Sequence, residues 1–281
     1  MKKAAVVLAV VLGLFVAVDF GTAAVAEYQV SKQMRQQLNL AEDPAVRING
    51  FPFLWQAAVG DYRNVELEAK AVKVGALNEV GIGANLRHAR VATSEVVAGT
   101  ADEIEVDEVD GRVELKASDV GRFLGITDLR IAPAPKNALK DDESGGDDAS
   151  GQPEDPSGAD PTQGSSEEGS TDRTKATVQL DGSVDIGGTN VKVQVMAVLS
   201  LLNGELKIDP RKLDINTSEF GNIPLPPIFE RSVLQQFSTT LDPGALPFRV
   251  TPTAVDVEHG ALIVEGTARD VTIDAGGMST P

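Results

Sequence analysis

The sequence predicts an α+β domain in which long antiparallel strands dominate and only two or three helices are present. Apolar and polar residues alternate over long segments, the pattern of half-buried strands. The segments are separated by Gly, Asn and Asp turn residues, which suits hairpins more than helical crossovers. Aromatic residues are only 4% of the chain, so the core must be built from Val, Ile, Leu and Ala. At 281 residues and 42% apolar, the chain is long enough to bury such a core without disulfides, and it has no cysteine.

At the N-terminus Lys2 and Lys3 precede an unbroken apolar run, Ala4 to Val18, the layout of an export signal. Ala24-Val25-Ala26 offers a small-x-small cleavage site before Glu27, which makes residues 1–26 a signal peptide. Left uncut, Ala4 to Ala26 would be a single anchor with Asp19 inside a short apolar span. Either outcome exports the remainder. No later segment has an apolar run of spanning length.

From Thr22 to Leu40, Ala23, Ala26, Val30, Met34 and Leu38 share one helical face, and Asp43-Pro44 ends that helix before a short strand, Val46 to Asn49. Val65, Leu67, Ala69 and Ala71 alternate with Glu66, Glu68 and Lys70, and Val80, Ile82, Ala84 and Leu86 repeat the pattern. Ile104 and Val106 continue it, but the phase changes before Val109, Val113 and Leu115, as at a bulge or turn around Asp107 to Gly111. Ser118 and Asp119 are placed to cap a short helix through Phe123 and Leu124, followed by a strand from Ile126 to Ile131.

Asp141 to Asp172 holds eleven acidic residues and no Lys or Arg, so of the formal charge of −17 only −6 belongs to everything else. This segment is rich in Gly, Ser and Pro and lacks large apolar residues, so nothing offsets the entropy of ordering it. The expectation is a disordered insert, 136–174, looping out between two parts of one domain, 27–135 and 175–276, with a tail at 277–281. The ligand spacing of an EF-hand is missing, and no basic stripe is present for nucleic acid.

After the insert, Thr177 to Ile186 and Asn190 to Leu202 form a hairpin across Gly187-Gly188, and Asn203-Gly204 turns into Leu206 to Asp209. Val191, Val193, Val195, Ala197, Leu199 and Leu201 make the cleanest inward face in the chain. A second helix follows Pro226-Pro227, with Phe229, Val233, Phe237 and Leu241 on one side, ending near Asp242-Pro243-Gly244. The last hairpin turns at His259-Gly260 between Phe248 to Glu258 and Ala261 to Ile273.

The segment Gly50-Phe51-Pro52-Phe53-Leu54-Trp55-Gln56, with Gly60, Tyr62 and Val65, reads GFPFLWQ-x3-G-x-Y-x2-V. It resembles the start of the actinobacterial LmeA-like family of exported phospholipid-binding proteins. Leu246, Pro247, Gly260, Gly266 and Ala268 fit the family's closing pattern, and the acidic insert departs from it. The resemblance implies a tubular lipid-binding architecture: a long, strongly curved antiparallel sheet wrapped around one long helix, with a second, shorter helix and an apolar groove.

Physically, four large apolar side chains within five residues need a common apolar surface. Phe51, Phe53, Leu54 and Trp55 are either a core corner or the lip of a pocket. With Tyr62, Val191, Val193, Val195 and Phe237 they are the candidate lipid-groove residues. Arg63 and Arg249 are the head-group candidates, because a guanidinium can fork onto a phosphate. Arg87, Arg90 and Arg269 recur near strand ends, where solvated or salt-bridged roles are the plainer alternative.

Catalysis finds little support. There are two histidines, His88 and His259, no cysteine and no GxSxG elbow. No metal motif or cofactor motif is present, and Gly81-Ile82-Gly83 lacks the rest of a dinucleotide loop. The expected function is a non-catalytic carrier or sensor of phospholipid, of phosphatidylinositol type, at the outer face of the cytoplasmic membrane in envelope lipid or lipoglycan assembly. The alternatives are an envelope scaffold or maturation factor acting through a protein partner, and a lipid or glycan hydrolase.

Overall fold

The computed structural model describes residues 2–279 except 39, 75–76, 99, 102, 136–171, 187–188, 203, 216–226, 242–251 and 275–276. The expected acidic insert thus lies outside the described residues up to 171. So do the Gly187-Gly188 turn, Asn203, Pro226, Asp242 to Gly244, the Leu246-Pro247 pair and Arg249.

In chain order the first half comprises α1 (Lys2–Gln37), β1 (Ala45–Asn49), α2 (Phe53–Val59), β2 (Asp61–Val74), β3 (Leu77–Arg90), α3 (Thr93–Ala98), β4 (Glu103–Lys116), α4 (Ala117–Leu124) and β5 (Arg130–Pro133). The second half comprises β6 (Lys175–Ile186), β7 (Thr189–Leu202), β8 (Glu205–Ile215), α5 (Pro227–Phe237), β9 (Thr239–Leu241), β10 (Pro252–Glu258), β11 (Ala261–Asp274) and β12 (Gly277–Ser279). The class is α+β, with a long N-terminal helix and two antiparallel sheets.

One sheet runs β1-β2-β3-β4-β11-β10, with β12 beside β11; the other runs β5-β6-β7-β8-β9. The alternating residues of the sequence account for the layer between them. Val80, Ile82, Val113 and Leu115 of the first sheet share a buried cluster with Val178, Leu180, Val195 and Leu199 of the second. Each such aliphatic side chain contributes about 1.5–3 kcal/mol on leaving water. Val120 and Leu124 of α4, and Val233 and Phe237 of α5, close the cluster. The sheets are also joined by backbone: the Val255 N–H donates to Arg173 O and the Gly260 N–H to Ile131 O, both at 2.8 Å.

A second buried cluster lies at the other end of the larger sheet, where Tyr62, Leu86, Ala89, Val106, Val109 and Val271 meet Phe53 of α2 and Ala23 of α1. Here the expected phase slip appears, centred on Asp107. Val106 and Val109 are both buried although three apart, and so are Leu86 and Ala89. His88 and Asp270, which lie opposite Asp107 in the flanking strands, have φ of 51° and 52°. A positive φ interrupts the pleat, so the residues on either side of the slip face the same cluster.

Several boundaries differ from those read in the sequence. The helix expected from Thr22 begins at Lys2, because the apolar leader is itself helical and continuous with it. The N-cap of α4 is Lys116, with no side-chain cap bond. Asp119 turns away, and its Oδ2 accepts the Asn78 and Glu79 N–H groups at 2.9 and 2.6 Å, tying α4 to the start of β3. Residues 126–129 do not begin the next strand, because the Ile126 N–H donates back to Gly121 O and closes α4 around Gly125. Leu241 lies on β9, after α5 has ended at Phe237; the β-branched pair Thr239-Thr240 favours the strand.

Candidate functional site

The Phe51-to-Tyr62 segment is built around α2, a helix that its sequence concealed because it is short and follows a proline. Pro52 stands at the N-cap and Gly60 at the C-cap with φ 77°, its N–H donating to Gln56 O. Gly60 is required twice over: a Cβ there would sit 2.9 Å from Val91 O. Gln56 is buried and bridges the loop, its Nε2 donating to Gly50 O (2.8 Å) and its Oε1 accepting the Arg63 N–H (3.0 Å). The Tyr62 hydroxyl lies 2.8 Å from Thr93 Oγ1, and its ring is 6.4 Å from that of Phe53.

The signature therefore has two faces. Phe53, Gln56 and Tyr62 point inward and hold the corner together. Phe51 and Trp55 point outward, 49% and 65% exposed, with Leu54 between the two sets. An isolated exposed aromatic needs no explanation, but Phe51 is joined by Phe20 and Phe15 of α1. The Phe51 ring stacks on Phe20 (6.2 Å) and meets Phe15 edge-on (6.3 Å).

Val193, Val195 and Phe237 are buried in the layer between the sheets, and Val191 packs partly buried against them. They belong to a different cluster from Phe53 and Tyr62, so the groove candidates fall into two groups at two places in the fold. Arg63 is exposed beside the corner. Arg87 pairs with Glu108 and Asp110, Arg90 with Asp107, and Arg269 with Glu108, an exposed network across the outer face of the larger sheet. His88 Nδ1 is 3.2 Å from Asp61, and His259 is exposed at the β10–β11 turn.

A cleft of about 630 Å³ lies along the seam of the two sheets. It is within the usual size of small-molecule sites, roughly 300–1,000 Å³. Ala176 and Val198 line it from the smaller sheet, and Ala254, Val255 and Val257 from the larger. Two cations, Arg173 and Lys175, stand among its lining residues. Arg173 Nη2 is 3.1 Å from Glu265, and Lys175 Nζ is 3.4 Å from Asp172. The Thr174 hydroxyl and N–H both donate to Asp172 and hold its carboxyl below the ordinary range, so it stays ionised beside the lysine.

Sequence reading missed this site because its walls come from β6, β7 and β10, distant in the chain. The one available signal was local: Arg173 and Lys175 are the first basic residues after the acidic run. Chemically, the site joins an apolar wall to a rim of mixed charge, Arg173 and Lys175 with Asp256 and Glu265, whose two cations suit an amphiphile with an anionic group. A family model, LmeA-like phospholipid-binding, matches residues 17–267. Comparison with curated proteins and with solved structures gives no match.

Proposed function

Since the chain belongs to the LmeA-like phospholipid-binding family, we propose that it is an exported, non-catalytic phospholipid-binding protein of the cell envelope, acting beside the outer face of the cytoplasmic membrane. The carrying observation is the seam cleft, where apolar lining and two exposed cations occur together. Acyl methylenes laid against Ala176, Val198, Val255 and Val257 each contribute about 0.8 kcal/mol. The phosphate exchanges places with Glu265 and Asp172 at Arg173 and Lys175; those surface ion pairs are worth little, so exchanging them costs little. The apolar groove of the family's architecture is assigned to this seam, with the Phe51–Trp55 corner as a second lipid-facing surface and Arg63 beside it.

Non-catalytic action fits the placement of both histidines, one turned to Asp61 and one on an exposed hairpin turn. The test is a titration of the full chain with short-chain phosphatidylinositol and phosphatidylcholine below their micellar concentrations. Reversing both rim charges, Arg173→Glu with Lys175→Glu, should weaken phosphatidylinositol binding about 10- to 100-fold, the scale of one or two charge-assisted hydrogen bonds. Unchanged affinity in a folded double variant would remove the cleft from consideration.

A further inference from the structure

Four residues of α1 spaced by four, Asp19, Ala23, Glu27 and Ser31, form a single face, and each is joined to the folded body. Asp19 is 2% exposed; its Oδ2 accepts the Phe53 N–H at 2.9 Å and its Oδ1 the Leu54 N–H at 2.8 Å. It is thus the cap that α2 lacks from its own Pro52. Ala23 is buried in the cluster of Phe53 and Tyr62. Glu27 Oε1 accepts the Ile48 N–H of β1 at 2.7 Å, and the Ser31 hydroxyl donates to Pro44 O at 2.6 Å. The contacts straddle Ala24-Val25-Ala26. A cut after Ala26 would remove the cap of α2 and open the cluster beneath it.

N-terminal to this face, the helix is bare. The large apolar residues from Val6 to Val18 include Leu8 at 70% and Leu12 at 61% exposed, and the helix that carries them, Lys2–Gln37, is long and apolar enough to be a candidate membrane span. Ala4 to Val18 is 15 residues, or about 22 Å at 1.5 Å per residue, against a hydrocarbon core of about 30 Å. The shortfall of about 8 Å falls where Phe15, Phe20 and Phe51 cluster at the end of the span, with Trp55 exposed on the adjoining α2. Aromatic belts occupy that depth in membrane proteins, and Lys2 and Lys3 at the opposite end suit the cytoplasmic side.

We propose that α1 is retained in the mature protein as a single-pass anchor, and that Asp19 locks it to α2 so that Phe20, Phe51 and Trp55 lie in the interfacial layer of the outer leaflet. The occupant of this aromatic patch is the lipid bilayer itself, because the patch is continuous with the spanning helix. An acidic residue is tolerated there because both its oxygens accept backbone N–H groups. The anchor does not depend on which ligand the seam cleft takes.

Two measurements on the full chain test it. The protein is extracted from the membranes of a bacterial host and its intact mass determined; the inference requires that the leader be retained, and loss of 1–26 overturns it. The retained chain is then reconstituted in phosphatidylcholine–phosphatidylglycerol vesicles. Trp55 is the single tryptophan and reports its own depth. Phosphatidylcholine brominated near the head of its chains should quench it more strongly than the same lipid brominated near the chain ends. Emission that is insensitive to either lipid but fully quenched by aqueous iodide places the corner in water and overturns the interfacial assignment. Neither readout depends on phospholipid entering the cleft, so failure here is distinguishable from failure of the lipid-binding reading.

Discussion

Replacing Asp19 by alanine removes one side chain from α1 and leaves two N–H groups of α2 without their acceptor. Loss of a helix cap costs about 0.5–2 kcal/mol, and a buried donor left unpaired costs about 1–3 kcal/mol. The Phe53 N–H is buried and the Leu54 N–H partly so. Taken together, the corner should lose about 2–4 kcal/mol of local stability, since the second donor can recover water. At about 1.4 kcal/mol per tenfold, amide exchange across α2 should accelerate by roughly 30- to 700-fold. Hydrogen–deuterium exchange of the full chain in detergent or nanodiscs, read on peptides covering 53–59, measures it. Asp19→Asn keeps one acceptor oxygen and should lie between the two. Wild-type exchange at Phe53 and Leu54 in Asp19→Ala would refute the cap and the coupling of α1 to the body.

Three further outcomes follow from the same geometry. Asp119→Ala strips a buried carboxylate from the Asn78 and Glu79 N–H groups and from the exposed Arg122, 2.7 Å away, and should destabilise by about 2–4 kcal/mol in chemical denaturation, the cost of two donors left unpaired. Gly60→Ala combines a positive φ with a Cβ 2.9 Å from Val91 O and should cost about 1–3 kcal/mol, seen as a lower midpoint with unchanged slope. Asp128 is held below its ordinary pKa first by the Ser183 hydroxyl and then by the Ser183 N–H. A depressed folded pKa gives stability that is present above the unfolded value and lost as pH falls through the folded one. Acid unfolding of Asp128→Asn should therefore show a shallower loss below about pH 4 than the wild type, and identical acid profiles would count against this clamp.

The long strands were readable because alternation declares them: Val65 to Ala71, Val80 to Leu86 and Val191 to Leu201 all lie within observed strands. The hairpin at His259-Gly260 was equally plain, because the arms on each side are apolar and Gly260 supplies the turn with φ 89°. The slip at Asp107 was visible as a change of phase, although the positive φ at His88 and Asp270 that accompanies it was not, since neither residue type demands it. The short helix α2 was hidden because its cap comes from Asp19, which is 34 residues away from Phe53. Asp119 misled for the opposite reason: it sits where a helix cap belongs but bonds to backbone 40 residues earlier. The seam cleft was illegible because its walls come from different sheets, and only Arg173 and Lys175 at its rim carried a local charge signal.

Whether this chain holds a phospholipid decides the proposed function. Its most direct test is native mass spectrometry of the full chain from membranes, released from the mildest detergent that keeps it folded, followed by solvent extraction and lipid identification. One phospholipid per chain is expected, retained through detergent exchange and released when Arg173 and Lys175 are both replaced by glutamate. A bare chain that also takes up no lipid from offered vesicles would contradict it.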